Sequence, residues 1–354
     1  MLAKGLAHPW ALAFLPDARM LVTERPGRLR IVDRSGTISK PIAGMPAIEE
    51  WRPEDGGLHD LLLDPQFETN RVLYFTYYTL APGERESRKP DKLLKGVGQV
   101  VRARLSSSMD RLEDLRVLYE GAHVRRLAYG PNGTLLVTTT VSDPHEQPQP
   151  LPQSLASDEG KVLRINPDGS IPRDNPWVGE KGARPELYAI GFKDPEGLTL
   201  DSSTGRLWAL DHGPRGGDEL NVIRPGANYG WATITYGRGD AGWSGKPIDK
   251  GLTSGKGLEQ PVYFWTPSIA PSGLLVYSGK MFPQWKGNVF VGALAYKKLV
   301  RLEMRDGRVA TEESMLAARC DRIRDVREGP EGAIYVLTDE DDGQILRLIP
   351  EGTQ

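Results

Sequence analysis

A phrase recurs along the chain: a short apolar run, a turn rich in Pro, Asp and Gly, then a second apolar run. It reads "ALAFLPDARMLVTE" from Ala11, "DLLLDPQFETNRVLYFTYYT" from Asp60 and "RLAYGPNGTLLVTTT" from Arg126. It returns as "GLTLDSSTGRLWALD" from Gly197, more loosely as "GLLVYSGKMFPQWKGNVFVGAL" from Gly273, and as "DVREGPEGAIYVLTDE" from Asp325. Short apolar runs bounded by turn formers predict hairpins of paired strands. Several copies are followed by a third strand-like segment: "GRLRIVD", "GQVVRARL", "GKVLRINP", "KLVRLEM" and "GQILRLIP". No stretch keeps a 3.6-residue apolar period beyond a turn or two. Six such units, roughly 50 to 80 residues apart, read as propeller blades with insertions. A β-sandwich or a set of separate sheets would be built from the same hairpins.

The polar inserts "PAIEEWRPEDGG", "VSDPHEQPQPLPQSLASDEG" and "YGRGDAGWSGKPIDKGLTSGKGLEQP" interrupt the repeats. They are expected as surface loops, and one rim of a propeller is where a site normally sits. Composition agrees: 40 Gly and 28 Pro among 354 residues supply turns, and 39% apolar residues supply a core. The formal net charge of −2 argues against a nucleic-acid binder. No apolar run approaches the length of a membrane span. Cys320 is the only cysteine, which rules out an intrachain disulfide and a thiolate metal cage.

Phosphate-loop, zincin and serine-elbow motifs are absent, and the five histidines (His8, His59, His123, His145 and His212) are scattered. The stretch "DHGPRGGDELN", residues 211–221, reads as a loop after a strand. Its Gly-Pro turn would point carbonyls outward and Glu219 would add a carboxylate, a donor set suited to calcium. A solvated acidic turn is the plainer alternative. In "CDRIRDV", strand alternation places Arg322 and Arg324 on one face, as a clamp for a polyanion or dicarboxylate or as surface arginines bridging nearby acids. "EDGGLHD" offers Asp55, His59 and Asp60, "GFKDPEGL" offers Lys193 and Asp194, and "FWTPSIAPSG" puts Trp265 on a rim. Aromatic and polar groups together suit sugar recognition, and core packing explains each aromatic equally well.

Over nearly its whole length the chain resembles the soluble quinoprotein aldose sugar dehydrogenases, the glucose/sorbosone dehydrogenase family. The resemblance is carried by "HPWALAFLPDARMLVTERPGRLRIV", "GKVLRINPDGSIPRDNPWVGEKGARPELYAIGF", "HGPRGGDELNVIRPGANYGWATITYGR", "YFWTPSIAPSG" and "RIRDVREGPEGAIYVLTDE". It implies an all-β, six-bladed β-propeller with inserted rim loops, a single domain over residues 1–354. It also implies calcium- and pyrroloquinoline quinone (PQQ)-dependent oxidation of an aldose at C1 to its lactone, with electrons passed to an external acceptor. Gly213 and Pro214 match the carbonyls that hold the quinone-bound calcium, and Glu219 and Tyr229 match a second calcium site. Arg322 and Arg324 match arginines facing the quinone, and Trp265 lies in the segment lining the sugar pocket.

Several positions depart from the family pattern. Lys193-Asp194 stands where Arg-Asn is usual, Asp55 where Gln is common, and Thr140-Val141 where a Gly-Asp pair is usual. The family's histidine base falls on Ala122 without a gap and on His123 with a one-residue deletion. Asp55 is a second candidate proton acceptor and substrate contact. A PQQ-free propeller acting as a metal-assisted hydrolase or lyase, or a non-catalytic carbohydrate binder, would fit the same departures. "MLAKGLAHPW" has no apolar signal core, while the resemblance implies a periplasmic or secreted protein once an export signal is removed.

Overall fold

The computed structural model describes residues 1–49, 56–84, 95–141, 151–238 and 251–352. After β1 (Ala3–Leu6), the first sheet contains β2 (Pro9–Phe14), β3 (Met20–Glu24) and β4 (Arg28–Val32). The second contains β5 (Gly57–Leu63), β6 (Val72–Leu80), β7 (Gly96–Leu105) and β8 (Leu112–Gly121). The third contains β9 (Val124–Tyr129), β10 (Leu135–Thr139), β11 (Lys161–Ile165) and β12 (Leu187–Ile190). The fourth contains β13 (Gly197–Asp201), β14 (Arg206–Asp211), β15 (Asp218–Ile223) and β16 (Tyr263–Trp265). The fifth contains β17 (Pro271–Val276), β18 (Val289–Ala293), β19 (Lys298–Arg305) and β20 (Arg308–Met315). The sixth contains β21 (Ile323–Glu328), β22 (Ile334–Thr338), β23 (Gly343–Leu348) and β1.

The first strands of the six sheets, β2, β5, β9, β13, β17 and β21, touch one another in cyclic order, with β21 returning to β2. This is a six-bladed β-propeller. β1 pairs antiparallel with β23, Ala3 opposite Ile345, so a strand from the N-terminal end completes the last blade and closes the ring. Inner strands pack closely: a Cβ on Gly273 would lie 2.5 Å from the Val326 nitrogen of the next blade.

Strand alternation distributes the core. On β6, Leu73 and Phe75 join an apolar cluster with Leu21 and Leu29 of the first blade, while Val72 and Tyr74 join Leu127 and Leu135 of the third. The same division recurs around the ring, giving one apolar cluster at each of the six seams. A second strand such as β10 is therefore buried along its whole length, whereas the outermost β20 is mostly exposed. Burying these side chains contributes about 1.5–3 kcal/mol each, before the entropy of ordering the chain is subtracted.

Arg126, only 2% exposed, fills the axis. It donates from Nε to the Glu196 carbonyl (2.7 Å), from Nη1 to Asp325 (3.2 Å), and from Nη2 to Ser272 Oγ (3.3 Å) and the Arg324 carbonyl (3.0 Å). Its guanidinium lies 3.9 Å from the centre of the Trp10 ring and 3.7 Å from Asp60. Groups from every blade or its entering connection thus meet one side chain. Arg327 completes the layer, binding Asp325 (2.8 Å) and Asp60 (3.1 Å). This layer is the floor of the site.

Candidate active site

Every inner strand begins on the same face of the ring. Antiparallel pairing brings the connections after β14, β18 and β22 to that face as well. Residues from the strand starts and from these connections gather above Arg126. Arg324 donates from Nε and Nη2 to Asp339 Oδ2 (3.1 and 2.6 Å) and from Nη1 to Glu196 Oε2 (3.2 Å). Arg322 Nη2 comes within 3.8 Å of the same Asp339, as does Arg25 Nη1, so the two sequence-predicted arginines converge on one carboxylate. Arg125 reaches Asp194 (3.4 Å) and Glu196 (3.2 Å), and His8 Nδ1 lies 2.8 Å from Asp339.

Among the described residues, five cationic side chains (Arg25, Arg125, Lys193, Arg322 and Arg324) gather with three carboxylates here. Burial pushes the Asp194 carboxyl up, but Arg125, His212 and Lys193 outweigh it and hold the group well below the usual range. Arg324 does the same for Asp339. Both acids are therefore ionised at neutral pH. Lys193 is a buried residue whose ammonium makes no hydrogen bond or ion pair within 4 Å among the described residues. Three of the five N–H groups of Arg324 are used by Asp339 and Glu196, which leaves two for a ligand. A carboxylate-bearing cofactor fits this donor set.

His123 immediately precedes β9, two residues before Arg125, and is buried. Its ring stacks on Tyr78, centroids 3.7 Å apart, and faces His59 at 5.4 Å. His59 continues the stack to Trp10 at 5.0 Å. Nδ1 of His59 donates to the Val124 carbonyl (3.0 Å), while its Nε2 has no partner among the described residues. Burial, reinforced by Arg125, drives the His59 pKa well below the usual 6.5, so this ring is neutral. The sequence pattern offered His59 and Asp60 as one constellation. Alternation sends His59 to the wall beside His123 and Asp60 to the floor with Arg126 and Arg327. Asp55 lies outside the described residues.

The stretch 211–221 is less of a loop than its sequence suggests. Asp211 ends β14 and Asp218 begins β15, so only residues 212–217 connect the strands. Asp218 and Glu219 are adjacent because successive strand residues face opposite ways. Asp218, fully buried, accepts from Gly213 N (2.9 Å), Ser268 Oγ (2.8 Å), Ile269 N (2.7 Å) and Ala270 N (3.1 Å), and so ties this connection to the entry into the fifth blade. A Cβ on Gly213 would collide with the Gly216 carbonyl.

Glu219 turns the other way, into a cavity of about 10 Å³ lined by Asp211, His212, Gly213 and Tyr229 among others. That is room for one small ion or one water. Burial pushes the Asp211 carboxyl up to about 7 and the Glu219 carboxyl up to about 8. Two carboxylates with backbone oxygens close by are hard donors that fit calcium. Among the described residues no three His, Cys, Asp or Glu side chains cluster as a metal site, so any ion would also need backbone ligands. The Tyr229 hydroxyl already donates to the Val222 carbonyl (2.6 Å) and accepts from Arg224 N (3.0 Å); its only other oxygen is its carbonyl. The Pro214 carbonyl accepts from Arg238 N (3.0 Å).

Of the sequence-predicted residues, Lys193, Asp194, Arg322 and Arg324 meet in the well, and Gly213, Glu219 and Tyr229 share the small cavity. Asp211 links the two groups, accepting from Lys193 N (3.0 Å) and Asp194 N (2.7 Å). Trp265 stands apart, in a groove between the fourth and fifth blades. Sequence reasoning missed Arg125, Glu196, Asp211 and Asp339. Glu196 carried a usable signal, since it shares the "KDPEG" turn with Lys193 and Asp194. Asp339 lies a whole hairpin away from Arg322 and Arg324 and far from Arg25 and His8, so no local spacing marked it.

Comparison with known proteins shows the family. The glucose/sorbosone dehydrogenase family model matches residues 6–347. The aldose sugar dehydrogenase YliI of Escherichia coli is 36% identical, the alignment covering 99% of this chain and 92% of that protein. A crystal structure of a glucose dehydrogenase superposes with a TM-score of 0.90 at 39% identity, covering 99% of both chains. The PQQ-bound aldose sugar dehydrogenase of Streptomyces coelicolor superposes with a TM-score of 0.76 at 25% identity, covering 98% of this chain and 95% of that one. With the match running from the first blade to the last, the chain belongs to the glucose/sorbosone dehydrogenase family.

Proposed function

We propose that this protein is a PQQ- and calcium-dependent aldose dehydrogenase that oxidises the anomeric carbon of a sugar to the lactone. Family membership and the sugar dehydrogenases among its relatives support an oxidoreductase acting on aldoses. The observation that carries the cofactor reading is the donor set of the well: an ammonium at Lys193 with no partner among the described residues and a guanidinium at Arg324 with three of its five N–H groups used, beside Arg322 and Arg125. Bound quinone would supply the hydride acceptor, with calcium to polarise it. Lys193, Arg322 and Arg324 would hold its carboxylates. His123 would take the proton of the anomeric hydroxyl, its ring orientation fixed by Tyr78 and His59 on either side. Gly213 and Pro214 carbonyls would serve the quinone-bound ion, and Asp211, Glu219 and Tyr229 a structural one. The electrons would pass to an external acceptor, and the periplasm or cell exterior would be the site of action.

Titrating the apoprotein with PQQ and calcium, then following dye reduction with glucose, tests this reading. Saturable binding at micromolar cofactor and glucose-dependent turnover are expected; absence of binding rejects it. In the reconstituted enzyme, His123→Asn is expected to lower kcat by about 10²–10⁴-fold with cofactor binding retained. Turnover of a lactone or glycoside without quinone and without dye reduction would instead support a metal-assisted hydrolase or lyase. That alternative draws on the carboxylates Asp194, Glu196 and Asp339, which already engage the site's arginines.

A further inference from the structure

We propose that Lys161 is a positioning residue for the well: its ammonium, caged by three backbone carbonyls, braces the connection that carries Lys193 and Asp194, and loss of that charge loosens the grip on PQQ. This proposal rests on the dehydrogenase reading for the identity of the ligand and adds a proton-controlled brace to the same site.

Lys161 begins β11, opposite Thr139 of β10 and Ile190 of β12, and is fully buried. Its Nζ donates to the carbonyls of Leu151 (2.7 Å), Pro152 (3.0 Å) and Glu159 (2.6 Å). An ammonium has three N–H groups, so its capacity is spent. All three acceptors are neutral carbonyls. A neutral amine has two N–H groups and cannot serve all three.

The cage acts on the chain that leads into the well. The Pro152 carbonyl also accepts from Gly191 N (3.0 Å), and the Gly160 carbonyl, next to Lys161, accepts from Phe192 N (3.1 Å). Gln153 Nε2 donates to the Trp231 carbonyl (2.6 Å) and to Asn228 Oδ1 (3.1 Å), and Trp231 N donates back to the Gly191 carbonyl (2.9 Å). Gly191 sits at φ 86°, and a Cβ there would collide with Asn228 and with the Gly230 nitrogen. Lys193 and Asp194 are the next residues after this pinned pair. From the same connection as Lys161, Asp158 Oδ2 accepts from Ala122 N (3.1 Å), the residue before His123. Residues 158–161 thus hold the approaches to both the cofactor-binding pair and the proton acceptor.

The charged groups around Lys161 are Asp158 and Glu159, from the connection before β11, and Arg184, from the connection before β12. Arg184 is engaged with Asp158 (3.4 Å) and Glu186 (2.6 Å), and Asp158 accepts from the Tyr119 hydroxyl (2.6 Å). β10 and the turn Leu151–Gln153 carry no charged side chain. Burial outweighs the two carboxylates and brings the Lys161 ammonium down to about 7. The brace is therefore complete in mildly acid solution and is lost as the pH rises through about 7.

The test titrates PQQ, at saturating calcium, into wild type and Lys161→Met at pH 6.5 and pH 8.5. At the lower pH the variant is expected to bind PQQ about tenfold more weakly than wild type, and at the higher pH within about twofold, because wild type has then lost the same charge. A packing role alone would give the same ratio at both pH values. Hydrogen exchange of the apoprotein reads the brace without cofactor. Protection of the Gly191 and Phe192 amides, corrected for intrinsic exchange, is expected to fall about tenfold in wild type between the two pH values and to be low at both in Lys161→Met. With PQQ binding established, a ratio that does not change with pH, or amide protection in wild type that does not, overturns the proposal. If Lys161→Met does not fold, the wild-type exchange profile alone decides. If PQQ binds neither protein, the dehydrogenase reading fails by itself, and the exchange profile still decides whether Lys161 braces the connection.

Discussion

Two arginines lie close together on the axis and differ in how far their hydrogen-bonding capacity is spent. Arg126, in the floor, uses four of its N–H groups on Glu196, Asp325, Ser272 and Arg324, and Asp60 lies close by. Among the described residues, Arg324, in the well, uses three, and the Lys193 ammonium nearby uses none. Both layers are buried and both are charged, so burial and charge do not separate structure from site. Saturation does. A buried cation such as Arg126, with four N–H groups engaged and a carboxylate beside the group that remains, holds the protein together. One with donors left over is positioned to meet a ligand, because leaving such groups unmatched is costly.

The sharpest way to break this contrast is Arg126→Met. Among the described residues, Asp60 and Asp325 would keep Arg327 as their cationic partner along with their backbone N–H donors, and the blades would lose a shared partner. A stability loss of about 3–5 kcal/mol in urea unfolding is expected, the size for removing one member of a buried ion network. Lys193→Met should behave in the opposite way. Stability should change by less than about 1 kcal/mol, while PQQ affinity falls about tenfold, the equivalent of one charge-assisted hydrogen bond. If Lys193→Met unfolds the protein or leaves cofactor binding intact, the well is not what its unused donors indicate.

The smallest effect lies in the wall between the two layers. His59 is held neutral by burial, with a folded pKa well below 6.5. Above pH 6.5 both folded and unfolded chains carry it neutral, and it contributes no pH dependence. Below 6.5 the unfolded chain binds a proton that the folded chain does not, so stability falls as the pH drops. His59→Leu should flatten that slope by about 1 kcal/mol per pH unit, measured by unfolding at pH 5.5 and 6.5.

Much of the molecule is legible along the chain, and the exceptions have physical reasons. The hairpins at Ala11, Asp60, Arg126, Gly197, Gly273 and Asp325 are local, so alternation and turn chemistry locate them. The arginine pair was legible for the same reason, because two residues apart on a strand is a local relation. Arg125 and Arg126 were not. Adjacent in sequence, they differ in role because one reaches Glu196 and Asp194 from the strand's entry and the other turns down onto the axis. The extent of the 212–217 connection was hidden because Asp218 and Glu219 look like turn residues, although each faces a polar partner set from within a strand.

The amino-acid sequence by itself determined the repeat: six units, each with its own turns and its own alternation of core and surface positions. Only the tertiary structure decided how those units meet. Pairing of β1 with β23 joins the two ends of the chain. Asp339 finds Arg324 after a whole hairpin, and Glu196 receives cations from two other blades. A propeller builds its site from the ends of strands in different sheets, so the distances that matter cross the ring and leave no local pattern to read.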